Sequence, residues 1–326
     1  MTEPSTTMAT VDNLKTSNRG YMLTCELRNF PVTFVNAIRR NCLSSIPTVV
    51  LRDVEILENT TQIPHEMLKH RVEMLPVNVR PDDHATIRDA VIELNVKSEK
   101  EQILTTDDFI VHSSREKLLM KDRDLDTPLL FLKINANQSI RIKCRLAVEV
   151  QTASQVSNST SGWHIDSELV KNARKSWVEE GKDPREFDNL IIQRHYSRNL
   201  DGRPNWFDLT IESIGVLECI EILKYAITNL RKRLEDYIKE ALENIRREQD
   251  EHSFTVSLDQ GGHTIGALLQ EVIYNDKNVN FVSYDVAHPL RNTMILRFNT
   301  PKSPESILRS AKEIIEEYCS VVEKVL

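Results

Sequence analysis

Residues Phe34 to Thr48 read "FVNAIRRNCLSSIPT". Phe34, Ile38 and Cys42 recur every four residues, which lays one apolar stripe along a helix. Pro31 suits the first helical turn, and Pro47 ends the helix. Arg39 and Arg40 lie off the stripe. Three readings are open for this pair: a solvated helix end whose cations complement the C-terminal dipole, contact with nucleic acid, or contact with another protein. Lys and Arg total 42 against 49 Asp and Glu, a net charge of −7 over 326 residues. A chain whose main task is duplex binding ordinarily carries a basic excess, so composition weighs against the second reading.

Working outward, "YMLTCELRNF" (Tyr21–Phe30) reads as a strand, and "TVVLRDVEILENTT" (Thr48–Thr61) reads as one or two. "PHEMLKHRVEMLPV" (Pro64–Val77) is a short helix opened by one proline and closed before Pro76. From about Pro81 to Asn205 the texture changes. "AVIELNVKSE" and "IRIKCRLAVEVQT" alternate at period two, as half-buried strands do. "QTASQVSNSTSG" (Gln151–Gly162) is expected to be a surface loop, and Trp163–Asn205 has no clear pattern. "NWFDLTIESIG" returns to strand alternation. Then Leu223, Ile227, Leu230, Leu234, Tyr237, Ala241 and Ile245 recur at spacings of three or four, with no Gly or Pro from Glu218 to Asp250. Such a helix would be roughly 45 Å long, too long for a small core to cover, so its seam is expected to meet a second long helix. Ser253–Leu326 reads β–α–β–β–α and supplies that helix after Pro304, with Ile307, Ala311, Ile314, Tyr318 and Val322 on one stripe.

The chain is thus expected to be α+β: two units of one plan, paired through long helices as an intramolecular pseudo-dimer, with a β-rich domain inserted in the first. Expected boundaries are a mobile tail at 1–19, a divided first unit at 20–80 and 205–250, the insert at 81–204 and the second unit at 251–326. Phe34, Ile38, Leu223, Ile227, Leu230, Leu234, Leu268, Leu269, Ile314 and Tyr318 are the expected interface between the units.

Several classes of chemistry find no support. The five cysteines are scattered without a C-x-x-C pair, so no zinc or iron–sulfur site is expected. Without a signal-like N-terminus, thiols of this kind suit a reducing, cytoplasmic setting. Asp122, Asp124 and Asp126 have the opening spacing of a calcium loop, but Thr127 and Lys133 stand where Gly and Glu are needed. "QGGHTIG" before a helix lacks the Lys-Ser/Thr of a P-loop and reads as a tight turn, with Thr264 able to cap the helix. No catalytic constellation and no cofactor site emerges, and no apolar run reaches membrane-spanning length.

Both ends of the chain carry a family's motifs. Asn36-Ala37-Ile38-Arg39-Arg40, then Pro47-Thr48, then Glu66, His70-Arg71 and Leu75-Pro76 resemble the signature region of the α-like subunits of multisubunit RNA polymerase, of the archaeal D type and the third subunit of eukaryotic polymerase II. "TPLLFLKINANQSIRIKCRLAVE" resembles that family's inserted domain. His263-Thr264-Ile265-Gly266, Leu268-Leu269, His288-Pro289-Leu290 and Arg297-Phe298-Asn299-Thr300 resemble the small partner, the archaeal L type or eleventh subunit. The resemblance covers almost everything from Met22 onward. A fusion of the two partners is similar to the arrangement in large cytoplasmic DNA viruses, which implies a viral factory or virion setting. The insert holds only Cys144, so the cysteine cluster of some D-type subunits is missing. The resemblance implies a non-catalytic assembly platform that docks the largest and second-largest polymerase subunits through Asn36, Arg39, Arg40, His70 and Arg71. A small tenth- or twelfth-type subunit is a further partner it suggests. DNA would be touched only through the complex, no membrane is involved, and no homo-oligomer is needed. The competing reading is a stand-alone regulatory binding protein on the same fold.

Overall fold

The computed structural model describes residues 8–113, 115, 117–150, 157–288 and 290–326. In chain order, β1 (Thr10–Ser17) and β2 (Met22–Arg28) are followed by α1 (Val32–Ser44). Next come β3 (Thr48–Asn59), α2 (His65–Glu73), α3 (His84–Asp89), β4 (Val91–Lys97), β5 (Gln102–Thr105), β6 (Ile110–His112), β7 (Leu130–Ile134) and β8 (Ser139–Glu149). Then follow β9 (Ser157–Trp163), α4 (Ser167–Glu179), the single turn α5 (Pro184–Glu186), β10 (Trp206–Ser213) and α6 (Cys219–Glu243). The chain closes with β11 (Arg246–Arg247), β12 (Ser253–Leu258), α7 (Gly262–Tyr274), β13 (Phe281–Asp285), β14 (Met294–Asn299) and α8 (Pro304–Glu323). Three four-stranded sheets have the orders β1-β2-β10-β9, β11-β12-β14-β13 and β3-β8-β4-β6, and β5 pairs with β7.

Two hydrophobic cores organise these elements. The first is continuous across both units. Phe34 and Ile38 of α1, Leu223, Ile227, Leu230 and Leu234 of α6, and Leu268 and Leu269 of α7 are all fully buried in it. α6 lies against α8, and α1 against α7. At about 25 cal/mol per Å² of apolar surface removed from water, this shared layer is the main stabilising element of both units. α8 presents Ile307, Leu308, Ala311, Ile315, Cys319 and Val322 to the core, while Ile314 and Tyr318 flank it, partly buried. The ring of Tyr318 closes a cluster with Phe30 and Phe34, at centroid distances of 5.7 and 5.3 Å. Gly266 allows α7 to approach its own sheet: a Cβ there would lie 2.5 Å from Tyr284 and 2.6 Å from the Met294 sulfur.

The second core belongs to the insert and gathers residues from Val49 to Leu146, including Leu68, Val72, Ile92, Phe131, Ile142 and Cys144. The expected boundary at residue 80 therefore differs from the packing. β3 pairs with β8 and α2 buries Leu68 and Val72, so residues 48–80 pack with the insert rather than with the first unit. At the other end, β9 pairs with β10 and belongs to the first unit's sheet, not to the insert or to a surface loop. Its serines hid it. Ser157 and Ser159 are buried, and the Ser157 hydroxyl donates to the Cys42 carbonyl at the end of α1 (3.0 Å). Small side chains there let α1 sit on the sheet. Residues 151–156 of the expected loop lie outside the described residues.

The N-terminal tail is likewise a strand for much of its length, since β1 pairs with β2 through a bulge between Asp12 and Lys15. Mostly exposed side chains concealed it, although Val11 and Leu14 pack against the shared core. Residues 1–7 lie outside the described residues. α6 ends at Glu243, capped by Asn244, so the helix is about 37 Å long and stops before Ile245 to turn into β11. In the unassigned stretch, α4 packs Trp177 near Phe187 (6.0 Å between ring centroids), and Phe187 is its buried anchor. No helix among the described residues is long and apolar enough to cross a membrane.

Candidate docking surface and the seam behind it

α1 positions the first set of expected docking residues. Its apolar stripe is turned to the core, which leaves Asn36 exposed and Arg39 half-buried on the opposite side. Arg39 donates from Nε and one terminal nitrogen to Asn36 Oδ1 at 3.1 and 2.9 Å. One turn of helix thus presets the guanidinium, which has no carboxylate partner among the described residues. Its remaining N–H groups form a fork suited to a carboxylate or a backbone carbonyl.

Arg40 is engaged within the chain. Its Nε donates to Thr264 Oγ1 of α7 at 2.9 Å, so the residue read as a helix cap instead ties the two units together. Gly261, with a φ of 94°, permits the tight turn into α7, which has no side-chain cap. The same device recurs at the other end of the helix pair: Thr33 donates from its backbone N–H (3.2 Å) and hydroxyl (2.5 Å) to Glu271 of α7. Thr33 precedes Arg40 by seven residues, and Thr264 precedes Glu271 by seven. Each helix therefore offers a threonine near its start and a charged group two turns later, and the helices lie antiparallel so that each charge meets the other's threonine. Sequence spacing contained this signal, but the contacts join residues 224 and 238 positions apart. The outer rim of α6 and α8 adds Arg231 to Glu323 at 2.8 and 2.9 Å and Lys312 to Glu235 at 3.5 Å.

Beyond Arg40, Arg233 of α6 donates to the buried Asn41 side chain (3.4 Å) and to Ser45 (3.3 Å). Burial lowers the Arg233 pKa, and the charge of Arg40 adds to the effect. The end of α1 thus carries two guanidiniums facing neutral acceptors, an electropositive spot on a chain of net charge −7.

His70 and Arg71 stand on α2, over the insert's core. His70 is exposed. Arg71 is latched inside the insert, donating from two nitrogens to the Phe131 carbonyl of β7. The five expected docking residues are therefore split between two cores, and Arg40 and Arg71 are already tied to distant parts of the chain. The insert is fastened to the first unit by Arg123, which donates to the Ser213 carbonyl at 2.6 Å and pairs with Asp124 and Glu212 at 2.9 and 3.3 Å. Arg80 pairs with Glu221 of α6.

The calcium-like spacing is spent locally: Asp122 accepts from the backbone N–H groups of Asp124 and Leu125. One titratable cluster escaped the sequence reading, Glu26, His164 and Asp208, whose ligand atoms lie within 4.8 Å of one another. Each already has protein partners. His164 meets Asp208 at 2.8 Å, and Glu26 accepts from Asn13 and Trp206 and sits 3.5 Å from Arg28.

The RNA polymerase Rpb3/Rpb11 dimerisation domain matches this chain twice, over residues 24–234 and again over 253–325. The chain is similar to the DNA-directed RNA polymerase subunit Rpo3 of Methanocaldococcus jannaschii, 22% identical over 210 residues that cover 64% of this chain and 85% of that protein. It is also similar to the DNA-directed RNA polymerase II subunit RPB3 of Schizosaccharomyces pombe, 24% identical over 272 residues covering 71% and 86%. A conjugation stage-specific protein of Tetrahymena thermophila is 20% identical over 296 residues, covering 70% and 94%. The first domain match alone spans well over half of the 326 residues, and the second falls on the unit that closes the shared core. With these two domains in tandem, the chain belongs to the RNA polymerase Rpb3/Rpb11 dimerisation domain family, as a fused α-like subunit.

Proposed function

We propose that this chain is the non-catalytic assembly platform of a DNA-directed RNA polymerase, a D/L-type pair fused in cis that docks the second-largest and then the largest subunit. The observation that carries this reading is the seam. α1 and α6 of one unit bury their apolar faces against α7 and α8 of the other, so the surface that separate partners would create on meeting exists here in one chain. Arg39, preset by Asn36 and without a carboxylate of its own, is the docking group on that surface. The electropositive end of α1 favours an acidic partner, because opposite potentials speed encounter and exclude wrong partners. DNA would be met only through the assembled enzyme. The fused arrangement suits a cytoplasmic, viral-type transcription machinery.

The test co-expresses the tagged chain with the two large subunits of its own polymerase. Wild type is expected to recover both. Arg39→Glu is expected to leave the fold intact, since the hydrogen bonds of Arg39 among the described residues go only to Asn36, and to lower recovery of the second-largest subunit at least about tenfold, equivalent to about 1.4 kcal/mol. Undiminished recovery by this variant would remove Arg39 from the docking role. Recovery of the wild-type chain alone at low salt would remove the platform reading itself.

A further inference from the structure

Two hollows of about 460 Å³ each meet at the start of α1 and share Val32 and Thr33 as a common wall. The first opens toward the first unit's sheet and ends on Trp163, beside Asn36 and Arg39. The second opens onto the other unit and ends on Tyr274 of α7, beside Arg203. Trp163 is 51% exposed, Tyr274 57% and Val32 44%. An exposed tryptophan and an exposed tyrosine, one in each of two hollows that share a wall, are residue types enriched at the centres of binding interfaces. Both aromatic rings are held: Trp163 packs on Tyr196 at 4.5 Å, and Arg203 lies over Tyr274 at 5.8 Å. Little conformational freedom would be lost on binding.

The floor between the hollows is the seam. Thr33 is fixed there by Glu271 of the second unit, so this double groove continues the pairing interface and exists only while α1 and α7 are packed. Its charges also choose its occupant. Arg39 stands at one end and Arg203 at the other. Glu271, the carboxylate between them, already accepts from Thr33 and lies 3.9 Å from Arg203.

We infer that the second-largest polymerase subunit lays a single segment across this double groove, with apolar side chains astride Val32 and carboxylates toward Arg39 and Arg203, so that it reads both units at once. This rests on the platform reading and sharpens it. Docking then requires completed pairing, because neither unit alone holds both hollows.

The experiment places a photo-crosslinking phenylalanine analogue at position 163 or position 274 in the full chain, co-expressed with the two large subunits. Both positions are expected to crosslink to the second-largest subunit, within one stretch of its sequence. A variant on the shared wall, Val32→Asp, is expected to lower recovery of that subunit at least about tenfold. It should fold, because a carboxylate in the first helical turn is favourable. Crosslinks to two different subunits, or from only one position, would overturn the inference while leaving the platform intact, and so would full recovery by a folded Val32→Asp chain. A chain that recovers neither large subunit would overturn both.

Discussion

The two cores of this molecule are built on opposite principles. The insert's core is drawn from one stretch of chain, Val49 to Leu146, and serves only itself. The shared core takes helices from both ends of the sequence, and neither unit closes it alone. The first arrangement makes an appendage whose loss is local. The second makes a folding unit in which pairing and stability are the same event. The fusion suits this, because the two units are tethered and pair at high effective concentration.

The largest test of this contrast puts a charge in each core. Leu230→Asp buries an unpaired carboxylate in the shared layer, a cost of several kcal/mol and more than about 4, and is expected to unfold both units together. Ile142→Asp, equally buried, is expected to open only the insert, with the amides of α6 and α8 still protected in hydrogen exchange. If Ile142→Asp also strips protection from α8, the cores are not independent. Next in size is Phe34→Ala, which empties the aromatic cluster with Phe30 and Tyr318. About 3–5 kcal/mol is expected for such a truncation, read as a shift in denaturation midpoint. Gly266→Ala forces a methyl against Tyr284 and Met294 and is expected to cost about 1–3 kcal/mol. Arg123→Ala acts at the junction between the two cores. It removes the clamp on Ser213 and Glu212 at about 1–2 kcal/mol, and should raise exchange at the junction while both cores melt as before.

A smaller effect concerns the thiols. All five cysteines are buried, and burial pushes Cys25, Cys42, Cys144 and Cys319 up to about 12. With pKa values above the assay pH these groups stay protonated, and the thiolate is the reactive form. A disulfide reagent at pH 8 is therefore expected to label none of these four in the native chain. Partial labelling of Cys144 alone would report selective opening of the insert, the same asymmetry seen from another side.

What could be read from the sequence follows the same division. The shared seam was legible because α6 repeats its apolar stripe for six turns without a breaker, so burial dominates every local preference. Strand β9 was not, because Ser157 and Ser159 are buried for smallness rather than apolarity. β1 was hidden by exposed side chains, its place set by backbone pairing. The packing departs from the expected boundary at residue 80 because α2, although it comes soon after α1 in the chain, turns Leu68 and Val72 into the other core. For the proposed docking residues, the helix that carries Asn36, Arg39 and Arg40 was readable, but the long-range partners of Arg40 and Arg71 were not, since Thr264 and the Phe131 carbonyl are fixed only by tertiary packing.

In the proposed function one chain supplies the whole dimeric platform. Native mass spectrometry of the polymerase isolated through this chain tests it most directly. One copy of the 326-residue chain is expected with one largest and one second-largest subunit, and no separate small dimerisation subunit. Two copies of the chain, or an added small subunit of the same domain family, would contradict it.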